Sequence, residues 1–172
     1  MPEITVNLHM HTVHSDGSGT HQEIADAAIQ TGLDAIIVTD HNKLVLDQEG
    51  YYMSGNKRVL LLVGEEIHDP KRDPQKNHLL AFDINEELAG EVENPQNLIN
   101  AINRSSGLSF LAHPTDPAAP LFDQGDFSWV DWEIDGFTGI ELWNGFSEFK
   151  SLLGSKTAAI WYAYLPKRIA RG

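Results

Sequence analysis

The stretch ITVNLHMHTVHSDGSGTHQEIADAAIQTGLDAIIVTDHN (residues 4–42) decides the fold class. It opens and closes on short runs rich in β-branched residues, Ile4 to Leu8 and Ala35 to Val38, with helical spacing between them. Thr20 followed by Glu23 is a capping-box arrangement, Ile24, Ala27, Ala28 and Ile29 share one helical face, and Gly32 supplies the stop. Strand, helix and strand in this order form the unit of a parallel sheet with crossover helices.

Outward from that unit, further strands are expected at Val59 to Val63, His78 to Phe82, Leu108 to Ala112 and Gly139 to Leu142. A second helix is expected over about Pro95 to Ser105, where proline is preorganised for the first turn, Leu98, Ile99 and Ile102 fall on one face, and Gly107 follows. DPKRDPQKN (69–77) and PTDPAAP (114–120) are polar or proline-rich and read as loops that can rim a site. No repeat of fixed period interrupts the 172 residues, a length that suits one domain spanning residues 1–172.

The chain has 12 basic and 25 acidic residues, a formal net charge of −13, so bulk binding to nucleic acid is disfavoured. It has no cysteine, which excludes disulfides and thiolate metal sites and leaves histidine nitrogen and carboxylate oxygen as ligands. The amino terminus lacks a basic segment followed by an apolar run, and no window approaches the roughly 18 apolar residues of a membrane span, so a cytoplasmic location away from membranes is expected.

Against that background the histidines form a pattern. His9, His11, His41, His78 and His113 each lie at or just beyond an expected strand, together with Asp16, Asp40, Glu65 and Glu66. In parallel α/β sheets, functional groups converge at the carboxyl ends of strands. His9 and His11, two residues apart, place both imidazoles on one face of a strand. One buried histidine is commonly a satisfied core residue, but five at successive strand ends need partners, and a metal cluster would satisfy them together.

The segments NLHMHTVHSDG, VTDHN, VGEEI, NHLLAF and FLAHP, in this order across roughly residues 5 to 145, resemble the ordered motifs of the polymerase and histidinol phosphatase (PHP) superfamily. That resemblance implies a distorted (β/α)₇ TIM-like barrel and up to three divalent metal ions, zinc, manganese or iron, that hydrolyse phosphate esters. It implies His9 and His11 at the first metal, Asp16 and His41 at the second, and His78 and His113 at the third. The family pattern of glycine, any residue, glutamate falls on Gly64, Glu65 and Glu66 and selects Glu66 as the bridge, with Glu65 as runner-up. Adjacent strand residues face opposite ways, so the other glutamate is expected to point outward. Asp16, His41 and Glu66 are the expected catalytic residues, and the expected substrate is a small phosphorylated molecule.

Other residues carry less. Asp40 reads either as a support orienting a ring nitrogen or as a helix cap, and His14 either as a substrate contact or as an ordinary loop residue. His21 and His68 are read as non-ligands, and Glu141 as a partner to a ligand or to backbone. Trp129, Trp132, Trp143 and Trp161 read as core or interface residues. Lys71, Arg72, Lys76 and Arg104 can assist phosphate binding or belong to solvated loops. Two rival readings are a catalytically silent metal-binding or interaction domain and a hydrolase of the amidohydrolase type. The latter normally uses a lysine bridge, and no lysine stands at an expected strand end.

The family pattern closes with Asp, any residue, His on a late strand. Here the last aspartate is Asp135 and the last histidine is His113, so nothing matches. With six expected strands where the family barrel has seven, the chain is expected to be a fragment lacking its carboxyl-terminal part. The first two metal sites would then each be one ligand short, and the open barrel edge would be sticky or closed by a second copy of the chain.

Overall fold

Thr20 and Glu23 start the first helix as their spacing requires. In the computed structural model, which describes residues 3–152, α1 spans His21–Thr31. The Glu23 carboxylate accepts from the Thr20 N–H at 2.8 Å, while the Thr20 hydroxyl oxygen accepts from the Glu23 N–H at 3.3 Å. Gly32 ends the helix at φ 83°, in the left-handed region, its N–H donating back to Ala28 and Ile29. The buried residues are His21, Ala25, Ala28 and Ile29, so Ala25 takes the place expected for Ala27, which is exposed.

Strands β1 (Val6–Asn7), β2 (Ala35–Val38), β3 (Gly50–Ser54) and β4 (Lys57–Val63) form one sheet in the order β1-β2-β4-β3. β1, β2 and β4 are parallel, and β3 is the antiparallel arm of a hairpin with β4. One core joins Ala25, Ala28 and Ile29 of α1 to Ile36, Val38, Val59, Leu61 and Val63 of the sheet. β5 (Glu65–Ile67), β6 (Leu79–Phe82), β7 (Leu108–Leu111) and β8 (Gly139–Ile140) form a second sheet in chain order. Helix α2 (Pro95–Arg104) lays Leu98, Ile99 and Ile102 against Ile67, Leu79, Leu111 and Trp129, and α3 spans Gly145–Leu152.

The two sheets share one extended run, residues 57–67, interrupted at Gly64. The Gly64 N–H donates to the Val38 carbonyl at 2.8 Å and the Glu66 N–H to that of Asp40 at 3.2 Å, so the parallel neighbour continues across the break. A Cβ at Gly64 would lie 2.6 Å from the Ala81 carbonyl oxygen, so the approach of β6 demands glycine there.

The α/β class holds, but the expected barrel of helix-connected parallel strands is corrected. β6 is antiparallel to both β5 and β7, and no closed barrel is seen among the described residues. The cause lies in DPKRDPQKN: with no helix between β5 and β6, the chain turns straight back, whereas parallel pairing needs a long crossover. Eight short strands replace the six expected, β3 and β5 being the additions.

Trp129 is core at 3% exposure, Trp132 and Trp143 are exposed, and Trp161 and the carboxyl-terminal stretch expected to be truncated lie outside the described residues. No helix among the described residues is long and apolar enough to cross a membrane.

Candidate metal centre

The reversal of β6 explains how His78, at the start of a strand, joins histidines at the ends of others. The amino end of an antiparallel strand lies beside the carboxyl end of its neighbour, and the Ala112 N–H donates to the His78 carbonyl at 2.9 Å, just before His113. On the other sheet, β1 runs on into His9 and His11, and β2 into Asp40 and His41.

All of these ends meet at Glu66, which is fully buried. Its Oε2 lies 2.8 Å from Nε2 of His9, 2.8 Å from Nε2 of His11 and 3.4 Å from Nδ1 of His41. Its Oε1 lies 2.8 Å from Nδ1 of His78 and 2.9 Å from Nε2 of His113. Asp16 approaches from the rim, with Oδ1 2.7 Å from Nδ1 of His11 and Oδ2 3.8 Å from Nε2 of His41. The structure therefore brings together His9, His11, Asp16, His41, Glu66, His78 and His113.

Burial opposes charge on Glu66, but His9, with the rings of His11, His113 and His78, outweighs it and holds the carboxyl well below its ordinary range. Burial likewise pulls His9 down, yet Glu66 and Glu141 together raise it to about 10. His41 moves the other way, lowered by burial and by His11 and His78. His113 sits at φ 27°, a backbone conformation that costs about 1–3 kcal/mol and persists only where neighbours enforce it. Here the Glu141 Oε2 accepts the His113 N–H at 2.7 Å. Glu141 Oε1 also lies 3.0 Å from Nδ1 of His9, so this residue partners both a ring and backbone.

Among the described residues, four groups of side chains have donor atoms within 4.8 Å of one another and a composition that suits a divalent ion: His9, His11 and Glu66; His11, Asp16 and His41; Glu66, His78 and His113; and His41, His68 and His78. Nε2 of His78 and Nδ1 of His41 and of His113 are buried without a hydrogen-bond partner among the described residues. Buried nitrogens left unpaired cost free energy that coordination would recover, so the residues fit the group the resemblance implies.

Two expectations are revised, those for Asp40 and for Glu65. Asp40 neither orients a ring nor caps a helix: it accepts from the Thr12 N–H at 2.7 Å, the Thr12 hydroxyl at 2.6 Å and the Ser15 hydroxyl at 2.7 Å, clamping the loop that carries Asp16. That loop also needs Gly17, where a Cβ would come within 2.2 Å of the His11 carbonyl oxygen. Glu65 does face away from Glu66, but not to solvent; β5 is covered on both sides, and Glu65 is fully buried with Oε2 3.4 Å from the Leu88 N–H. His14 is exposed outside the cluster, and its ring lies 5.4 Å from that of His21, which is buried at the start of α1. His68, read as a non-ligand, stacks on His78 with centroids 4.4 Å apart, and burial with His78 and His41 pushes its pKa down to about 3. It follows Glu66 by two residues, the spacing that puts two side chains on one face of extended chain.

The cluster floors a cleft of about 1110 Å³, whose wall includes Gln75 and Asp116 from the two expected rim loops and Phe127 and Lys150. Lys150 and Asp116 were not legible as site residues. Lys150 is buried, with Nζ 2.7 Å and 2.8 Å from the two Asp116 oxygens and above the rings of Phe127 and Phe146. Of the cations read as phosphate contacts or as solvated-loop residues, Arg72 pairs with Asp131 and Lys76 with Asp126, Lys71 is exposed, and neither these nor Arg104 line the cleft, as the solvated-loop reading has it.

The sequence profile of the PHP domain family matches residues 7–125. No curated protein matches the chain closely enough to count. Among solved structures, an inferred metal-dependent phosphoesterase from Bifidobacterium adolescentis is 17% identical with a TM-score of 0.55, over 94% of this chain and 85% of that one. A two-domain protein from Bacteroides vulgatus, containing an inferred PHP-like metal-dependent phosphoesterase, is 23% identical with a TM-score of 0.46, over 64% of this chain and 35% of that one. The likeness to the Bifidobacterium protein shows a shared fold, and the chain spans about a third of the Bacteroides protein.

Proposed function

The chain belongs to the PHP domain family, and on that premise we propose that it hydrolyses phosphate esters of a small molecule at divalent metal ions held by His9, His11, Asp16, His41, Glu66, His78 and His113. The observation that carries this reading is the Glu66 carboxylate, buried and ringed by five imidazoles at 2.8 to 3.4 Å on the floor of an open cleft. Divalent ions bound there supply a lowered pKa for water and positive charge against phosphoryl oxygens. The chain's residues supply the rest. Glu66, with one oxygen toward each half of the cluster, sets the spacing of the donors. Glu141 orients His9 through Nδ1 and leaves Nε2 toward Glu66. Asp16, at the rim, is the donor nearest to solvent.

Neutral imidazoles add no negative charge, so a loaded cluster attracts phosphate despite the net −13 of the chain. The cleft is the size of a small-molecule site, which favours a phosphorylated metabolite or nucleotide over a polymer. The test is to strip the chain of metal, reload it separately with zinc, manganese and iron, and assay phosphomonoesters, phosphodiesters and cyclic amides. Phosphate release that chelation abolishes and reloading restores is the expected result. Hydrolysis of cyclic amides alone, or metal retention without any hydrolysis, would overturn it.

A further inference from the structure

His68 directly follows β5, two residues after Glu66, and its ring packs against those of His41 and His78. Its ring lies 4.4 Å from that of His78 at an interplanar angle of 13° and 4.8 Å from that of His41 at 87°. His41 and His78 are 5.4 Å apart. One ring nitrogen of each of the three lies within 4.8 Å of the others. The arrangement is tied at the backbone, because the His68 N–H donates to Oδ1 of Asn42 at 3.0 Å, immediately after His41.

Packing alone explains this poorly. Nδ1 of His41, Nδ1 of His68 and Nε2 of His78 are all buried without a hydrogen-bond partner among the described residues. A stack of rings satisfies none of them, whereas one ion satisfies all three. His78 is the pivot: its Nδ1 faces Glu66 at 2.8 Å, and the nitrogen left without a partner is the other one.

We infer that His68 is a metal ligand, and that His41, His68 and His78 form an all-nitrogen site for a zinc-class divalent ion beside the Glu66-centred groups. This rests on the metal-dependent reading above and adds a residue that the family resemblance does not supply. Three neutral nitrogens without a carboxylate leave the ion its full positive charge. They favour zinc, cobalt or nickel over manganese or magnesium, which prefer oxygen.

The test uses the full 172-residue chain and His68→Phe, which keeps a ring of similar size and removes both nitrogens. Each is stripped, loaded with zinc or with manganese, dialysed and measured for metal equivalents by mass spectrometry, with chelator competition for affinity. His68→Phe should lose about one equivalent of zinc or bind it at least tenfold more weakly, and retain manganese as the native chain does. Equal zinc content and affinity in the two proteins would overturn the assignment.

If circular dichroism shows His68→Phe unfolded, the native chain labelled with ¹⁵N-histidine decides. A His68 ring nitrogen that shifts to the metal-bound range on zinc addition supports the assignment, and one that does not move overturns it. Zinc retention that depends on His68 without any phosphate ester hydrolysis would sink the proposed activity and leave the ligand standing. Metal-dependent hydrolysis with zinc retention indifferent to His68 would do the reverse.

Discussion

The two faces of β5 carry the same side chain at consecutive positions and shift its acidity in opposite directions. Glu66 and Glu65 are both fully buried. On the cluster face, the imidazoles outweigh desolvation and hold Glu66 ionised. On the core face, burial dominates: the Leu88 N–H and Lys43 give Glu65 too little in return, Glu87 adds repulsion, and its pKa rises to about 7. Depth in the protein does not set the charge of a carboxyl group; the groups facing it do.

The sharpest way to break this contrast is Glu66→Gln. The shape is kept while the charge toward both halves of the cluster is lost. Metal affinity should fall by roughly 100-fold or more and turnover should vanish, without rescue by excess metal. Metal titration by calorimetry checks it, and normal retention would move the centre of the cluster elsewhere.

Gly64→Ala attacks the register that separates the faces. Its Cβ would press on the Ala81 carbonyl oxygen at 2.6 Å, so a loss of about 3 kcal/mol in urea unfolding is expected. A neutral result would mean that β6 can retreat.

Glu65→Gln sharpens the contrast through pH. The folded chain binds the Glu65 proton up to about pH 7, while the ordinary value is 4.5, so folded protein carries the extra proton between them. That contribution is fully present below 4.5 and lost as pH rises through 7. The glutamine variant has no such loss. Its stability relative to the native chain should climb from pH 4.5 toward a gain of about 3 kcal/mol near pH 8, with metal content unchanged. Parallel pH profiles for the two proteins would show Glu65 to be ordinary.

The smallest effect is expected at the rim. Asp16 is 66% exposed by its side chain, so Asp16→Asn should weaken metal retention only about tenfold and recover in excess metal. A loss as deep as that of Glu66→Gln would make the exposed and buried parts of the cluster equivalent.

Much of this was legible in the sequence because it is local. The box at Thr20 and Glu23 marks where α1 begins, and Gly64 with Glu66 marks which carboxylate faces the imidazoles. The hairpin of β3 and β4 was not expected, although Gly55-Asn56 between the two strands is a turn signal. The direction of β6 was not legible, because LLAF reads the same whichever way its neighbours run. Asp116 and Lys150 stayed hidden for a related reason: their pairing spans 34 residues, and each looks ordinary alone.

Glu141 holds one more consequence. β1 and β8 belong to different sheets, yet Oε1 of Glu141 reaches His9 beyond β1 while Oε2 holds the His113 backbone beyond β7, and Asn144 donates to Oε1 at 3.1 Å. This carboxylate acts as a clasp between the first and last margins of the curled structure. Loosening it would free the strand ends on both sides at once, so the amide protons around His9, His113 and Glu141 should exchange with solvent as one cooperative unit, although they lie far apart along the chain.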